Sequence, residues 1–226
     1  MPSALEAAIA VPFRLGSALR GARIFHPGTA SALTSDAIVF RPGARNDVVA
    51  RLSRGVGLPE ALPDFFGIAV RLVNAYGPGS HQDLLINASS GLPVLHHLFL
   101  PAPRWFAQSY STCLPYRSGS RPFLIGLLPP PERGPAPRLI AMRAAVETGV
   151  AFGIAVAGPL GRWKRVGTLE LRSPISPDAG DVDFDPWNTG GGLIPATWLN
   201  RLRREAYRQS RRARGRPADG ALDTPA

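Results

Sequence analysis

The sequence predicts a mainly β (α+β) fold, an antiparallel barrel with flanking helices, and three observations carry that expectation. Seven short segments, 37–40, 47–53, 67–73, 82–87, 123–128, 151–157 and 166–171, are rich in branched or aromatic residues and are separated by Gly, Pro or Asn. Twenty-four glycines and twenty-four prolines cut the chain into pieces too short for a helical bundle. A length of 226 residues with 45% apolar content suits one well-cored domain and is too short for two full-sized ones. Seven or eight short strands in one domain are expected to close on themselves as a barrel.

The intervening segments follow from their own patterns. The start of the chain reads as an amphipathic helix over 1–20 laid on the barrel, because Glu6, Pro12 and Arg14 interrupt what would otherwise be the apolar core of a secretory signal. Residues 93–110, with Trp105 and Phe106, read as helix and loop, 128–138 as a proline-rich connection, and 139–148 as a short helix. Residues 195–215 read as a long helix, with Thr197 at its start, Gly215 at its stop, and Trp198, Leu199, Leu202 and Ala206 at the spacing that packs against the body. The Pro, Ala, Asp and Gly that follow predict a disordered tail over 216–226. The domain is thus expected to span 1–215. The most apolar run, 150–160, falls far below the roughly 20 residues of a spanning helix, so no membrane span is expected.

A net charge of +10 calls for an acidic partner: nucleic acid, a membrane surface or a dianionic cofactor. Much of the excess lies in 201–216. The single cysteine, Cys113, excludes internal disulfides and cysteine-based zinc sites and suggests a reducing, cytoplasmic setting. Of the four histidines, His96 and His97 are adjacent, so their side chains are expected to point apart rather than share a metal, and His81 follows a turn and is expected to be exposed.

The 195–215 helix carries a second stripe. Arg203 and Tyr207 are four residues apart and Arg214 is seven further on, so the three project from nearly one side. A phenol ordinarily ionises near pH 10, but a guanidinium one turn away favours the phenolate, a hard anionic ligand suited to ferric iron.

These residues stand in a longer ordered pattern. FDPWN (184–188), GLIP (192–195), then Arg203, Tyr207 and Arg214 resemble the haem-binding end of the catalase family, in which FxPxN and PGIxP lead into a helix whose RxxxY tyrosine ligates haem iron. Gly191 is glycine where many members have proline. Further upstream, RIFHPG resembles the RxxHAxG segment, with His26 in the place of the distal histidine and proline following it. ARLSRGVG (50–57) resembles RFSxxxG, and PDFFGIAVRL (63–72) matches DPRGFAVKF at Asp64, Gly67, Ala69 and Val70, with Phe66 where the family has arginine. QDLLIN (82–87) and VGTLEL (166–171) resemble the asparagine strand and the last barrel strand. The matches occur in family order, cover roughly 20–90 and 160–215, and leave 91–160 unaligned.

The resemblance implies a short, barrel-only haem protein: barrel, wrapping segment over 176–195, haem helix over 196–214, and haem b as cofactor. It implies Tyr207 as the axial ligand of the iron, Arg203 holding it as phenolate, and Arg23, Arg51 and Arg214 on the propionates. It implies His26 and Asn87 as the groups that handle a peroxide substrate, with Ser53 orienting the imidazole. The expected activity is a catalase-like hydroperoxidase reducing hydrogen peroxide or organic hydroperoxides, with a small-molecule reductant and a homo-oligomeric state left open. A non-catalytic haem-binding or haem-sensing protein is the second class. A nucleic-acid-binding module using the arginine-rich helix is the third, ranked last because no aromatic residues interleave 208–216 to stack bases.

Overall fold

The computed structural model describes residues 23–32, 45–55, 58–59, 62–132, 134, 136, 138–172, 182 and 184–196, the first of these segments as backbone. The expected N-terminal helix, the strand at 37–40, the 196–214 helix and the 216–226 tail lie outside the described residues.

The chain is built from β1 (Arg23–Ala32), β2 (Arg45–Arg54), β3 (Phe66–Leu72), β4 (Gln82–Ala88), β5 (Tyr110–Ser111), β6 (Tyr116–Ser118), β7 (Arg121–Leu128), helix α1 (Leu139–Thr148), β8 (Val150–Ala157), β9 (Lys164–Leu171) and β10 (Ile194–Pro195). Every strand pairing is antiparallel. The order β1–β2–β3–β4–β5–β7–β8–β9 returns to β1, giving a nearly closed barrel whose thin seam is the two-residue β5. β6 and β10 extend the sheet beside β7.

Alternation decides which face each residue takes, because successive side chains point to opposite sides of a strand. On β2–β4 the even positions, Ala50, Leu52, Ile68, Val70, Leu84 and Ile86, turn inward and are buried in one apolar core. Phe123, Ile125 and Leu127 of β7, with Phe152 and Ile154 of β8, complete it from the other side. α1 joins that core through Met142 and Val146, one turn apart and fully buried. Gly149, at φ 95, ends the helix in a conformation that suits glycine.

Six of the expected strands match within a few residues, and α1 matches its expected limits. The strand β1 runs through RIFHPG, where a helix and loop were expected, because it recruits two partners at once, β2 and β9. Residues 93–110 hold only one 3-10 turn, Leu95–His97, in place of a longer helix. Trp105 and Phe106 are recruited instead by ring contacts: Trp105 stacks on Phe66 at 4.2 Å and Phe106 meets Phe152 edge-on at 5.5 Å. Phe66 therefore serves the core, and no charge is wanted at that position. No helix among the described residues is long and apolar enough to cross a membrane.

The histidine expectations need correcting. His96 and His97 do not diverge: the Nε2 atoms of both lie against the Pro159 carbonyl oxygen, at 3.0 and 2.9 Å, because the β8–β9 turn sets that oxygen where both rings reach it. His81 is half-buried, its Nδ1 accepting from the Asn74 N–H at 3.0 Å.

Candidate functional site on the outer face of β2–β4

The odd positions of β2–β4 form a second surface, outside the barrel, with a different character. Register sets three rows across it: Val49–Arg71–Asp83, then Arg51–Ala69–Leu85, then Ser53–Gly67–Asn87. Directly opposite residues in an antiparallel pair share a face and lie close, so each row is a line of neighbouring side chains.

A segment from far along the chain covers the first two rows. Phe184 is buried against Val49, Ala69 and Leu85. The guanidinium of Arg51 lies 4.9 Å from the Phe184 ring centroid and that of Arg71 lies 5.5 Å away, so the ring meets two cations. Asp83, 0% exposed, is the hub: Arg71 donates to both its oxygens, at 2.7 and 2.6 Å, and the Asp185 N–H donates to Oδ2 at 2.9 Å. The Asp83 N–H in turn donates to the Asn188 carbonyl at 2.8 Å.

Local chemistry shapes this clasp. Pro186 follows Asp185, whose Oδ1 accepts the Trp187 N–H at 2.9 Å while its carbonyl accepts the Asn188 N–H at 2.9 Å, an Asx turn within a β-turn. Gly191 and Gly192 then adopt φ 59 and 83. A proline is held near φ −65 and cannot take the Gly191 conformation, so glycine there changes the path of the backbone relative to a PGIxP segment. The segment ends with β10 on β6 and the Ala196 N–H donating to the Pro115 carbonyl at 2.9 Å.

The third row is where the candidate chemistry lies. Ser53 and Asn87 flank Gly67, and a Cβ added at Gly67 would stand 3.1 Å from Ser53 Oγ and 3.5 Å from Asn87 Oδ1. The missing side chain leaves a shallow cradle with a hydroxyl on one wall and an amide on the other. All three residues are half-buried, and the next row holds the buried Arg51.

Of the residues that the sequence singles out, Ser53, Asn87 and Arg51 are thus brought together on one surface, beside the segment 184–188. On β1, Arg23 is the residue opposite Ser53, whereas His26 is opposite Ala50, a position of the inward face, so the register does not bring His26 to the row of Ser53 and Asn87 as the sequence led us to expect. Tyr207, Arg203 and Arg214 lie outside the described residues. Burial pushes the phenol of Tyr76 up to about 12, against a smaller opposing effect of the Gly190 backbone, and pushes Tyr110 up as well. Both phenols stay neutral at ordinary pH, which sets them apart from the anionic role expected at Tyr207. No group of three or more His, Cys, Asp or Glu side chains is placed to hold a metal ion among the described residues. A porphyrin asks for one ligand to its iron and cations for its carboxylates, and of these the described residues of this face offer the Arg51 guanidinium beside the cradle.

Arg71, Asp83 and Phe184 were not singled out in the sequence as site residues. A signal existed in the lone acid of QDLLIN and the lone base of AVRL, but their pairing depends on a register that only the folded sheet sets. No protein-family model matches the chain, and no curated protein matches it.

Proposed function

We propose that this protein is a haem-dependent hydroperoxidase, catalase-like in layout, that reduces hydrogen peroxide or organic hydroperoxides. The supporting observation is the Ser53–Gly67–Asn87 cradle beside Arg51, covered at its edge by the FDPWN segment. Four stretches that resemble one family in sequence thereby meet at one surface.

When bound, ferric haem supplies the redox chemistry that cleaves the O–O bond. Arg51, with Arg23 and Arg214, would neutralise the propionates, since a carboxylate held away from water needs charged, hydrogen-bonded partners. Tyr207, kept anionic by Arg203, would hold the iron. The Asn87 amide N–H is suited to donate to a peroxide oxygen, and its opposite-wall partner, the Ser53 hydroxyl, can donate or accept. The resemblance alone gives His26 the proton-shuttle role, taking the proton from one peroxide oxygen and returning it to the other so that the leaving oxygen departs as water or alcohol; the register pairs it with the inward Ala50 and not with the row of Ser53 and Asn87.

A second reading, a haem protein without peroxide chemistry, is favoured by one observation: the backbone register sets Arg23 rather than His26 opposite Ser53. Optical spectra and stopped-flow mixing with hydrogen peroxide separate the two. Ferric protein should show a tyrosinate-ligated haem spectrum that Tyr207→Phe abolishes; an unchanged spectrum in that variant removes the axial role. His26→Ala should keep the haem and slow reaction with peroxide by about 10²–10⁴-fold, the usual contribution of a positioned proton shuttle. Equal rates in wild type and His26→Ala would favour the haem carrier.

A further inference from the structure

We propose that the loop Leu92–Phe99 and the β8–β9 turn form a docking surface for an anionic lipid bilayer. The two loops are one unit. His96 and His97 both reach the Pro159 carbonyl, His97 Nδ1 lies 3.0 Å from the Cys113 carbonyl, and the His96 ring lies 5.3 Å from the Trp163 ring.

From this anchored base the apolar side chains point outward. Leu160, at the tip of the turn, is 76% exposed, Leu92 62% and Leu98 50%, with Leu95 and Phe99 also exposed. Single exposed leucines are common on protein surfaces, but five such residues gathered on two joined loops are a patch that calls for a partner. The loop is held projecting against strain: Val94 has φ 68, a conformation costly for a β-branched side chain.

Charge selects the partner. Arg162 and Lys164 are exposed just beyond Leu160. The sequence has no Asp or Glu between Asp83 and Glu132, and none between Glu147 and Glu170, so neither loop carries an acid. Apolar tips with basic flanks match the two layers of an anionic membrane surface, acyl chains beneath and negative headgroups above. A protein partner would satisfy the leucines without needing the cations, and a nucleic acid the cations without needing the leucines. The bilayer uses both. The inference stands apart from the haem reading, because none of these residues belongs to the β2–β4 face.

The test is co-sedimentation of the full chain with vesicles of phosphatidylcholine alone or mixed with phosphatidylglycerol. Wild type should bind the mixed vesicles and leave the neutral ones largely free. Leu98→Gln with Leu160→Gln, which leaves the charge unchanged, should weaken binding by about tenfold or more, since each withdrawn leucine forfeits apolar burial. Arg162→Gln and Lys164→Gln should each weaken it roughly fivefold at low salt and less at high salt.

Failure of wild type to bind the mixed vesicles would overturn the proposal. So would binding that responds to the two charge changes but not to the leucine changes, which would assign the surface to a polyanion such as nucleic acid. A dimer that the leucine variants dissolve, without vesicle binding, would assign it to a second copy and overturn it equally. Unchanged circular dichroism and melting of the variants would show that lost binding does not come from lost fold.

Discussion

The two faces of β2–β4 are made by alternate residues of the same strands, yet they solve different problems. The inner face is apolar and redundant: Leu52, Ile68 and Ile86 share one large core with α1 and the far wall of the barrel. The outer face is narrow and specific. It holds one small apolar cluster around Phe184, and beside it a charged hub and a polar cradle. Burial without direction suffices inside, whereas outside each polar group must find its partner. The inner face should therefore govern global stability, and the outer face should govern where the 184–188 segment lies and what binds next to it.

The largest effect that would sharpen this contrast is expected from Asp83→Ala. It leaves Arg71 beside a buried gap and releases the Asp185 N–H, and breaking a buried pair in this way costs roughly 3–5 kcal/mol. Hydrogen exchange should show 184–188 losing protection well before the barrel strands do. Uniform loss over all strands would break the division between the faces.

Ile68→Ala should come next, at about 3 kcal/mol in denaturant unfolding, from lost transfer energy plus the cavity left in a close-packed interior. Here protection should fall together across the sheet and 184–188. A smaller effect is expected from Gly67→Ala. Its Cβ would press on Ser53 Oγ at 3.1 Å, a contact that a hydroxyl rotor can relieve, so stability should change by about 1 kcal/mol or less. Ligand retention at the cradle should suffer more than folding, and a variant that binds haem like wild type would separate the cradle from the cofactor.

The smallest expected effect is on pH dependence, at the loop pair. Burial first, and the neighbouring His97 charge to a lesser degree, hold His96 below the ordinary imidazole value of 6.5, against a raising effect of the Pro159 carbonyl. The folded chain thus prefers the neutral ring. As pH falls below about 6.5 the unfolded chain takes up the proton first, so this contribution to stability is present above that pH and is lost progressively below it. His96→Gln should flatten the acid side of the stability profile measured by urea unfolding. A profile as steep as that of wild type would place the sensitivity elsewhere.

Much of the barrel was legible because alternation is local. Val48, Ala50 and Leu52, or Ile68, Val70 and Leu72, announce a strand with one apolar face whatever their partners are. α1 was legible for a similar reason, through Met142 and Val146 one turn apart and Gly149 at its end. The strands β5, β6 and β10 were not, since two or three residues carry no periodicity and exist as strands only because a neighbour offers hydrogen bonds. β1 was missed because its Pro27 and Gly28 read as a turn, and pairing on both sides overrides that preference. The same division holds at the candidate site. Ser53, Asn87 and Arg51 could be picked from their motifs, and FDPWN could be read as a turn from Asp185 and Pro186. That Ser53 and Asn87 face each other across Gly67, that Asp83 and Arg71 are paired, that Phe184 meets two arginines, and that two adjacent histidines share one carbonyl were decided by the tertiary structure, because strand register and chain crossing join residues whose separation in sequence carries no period.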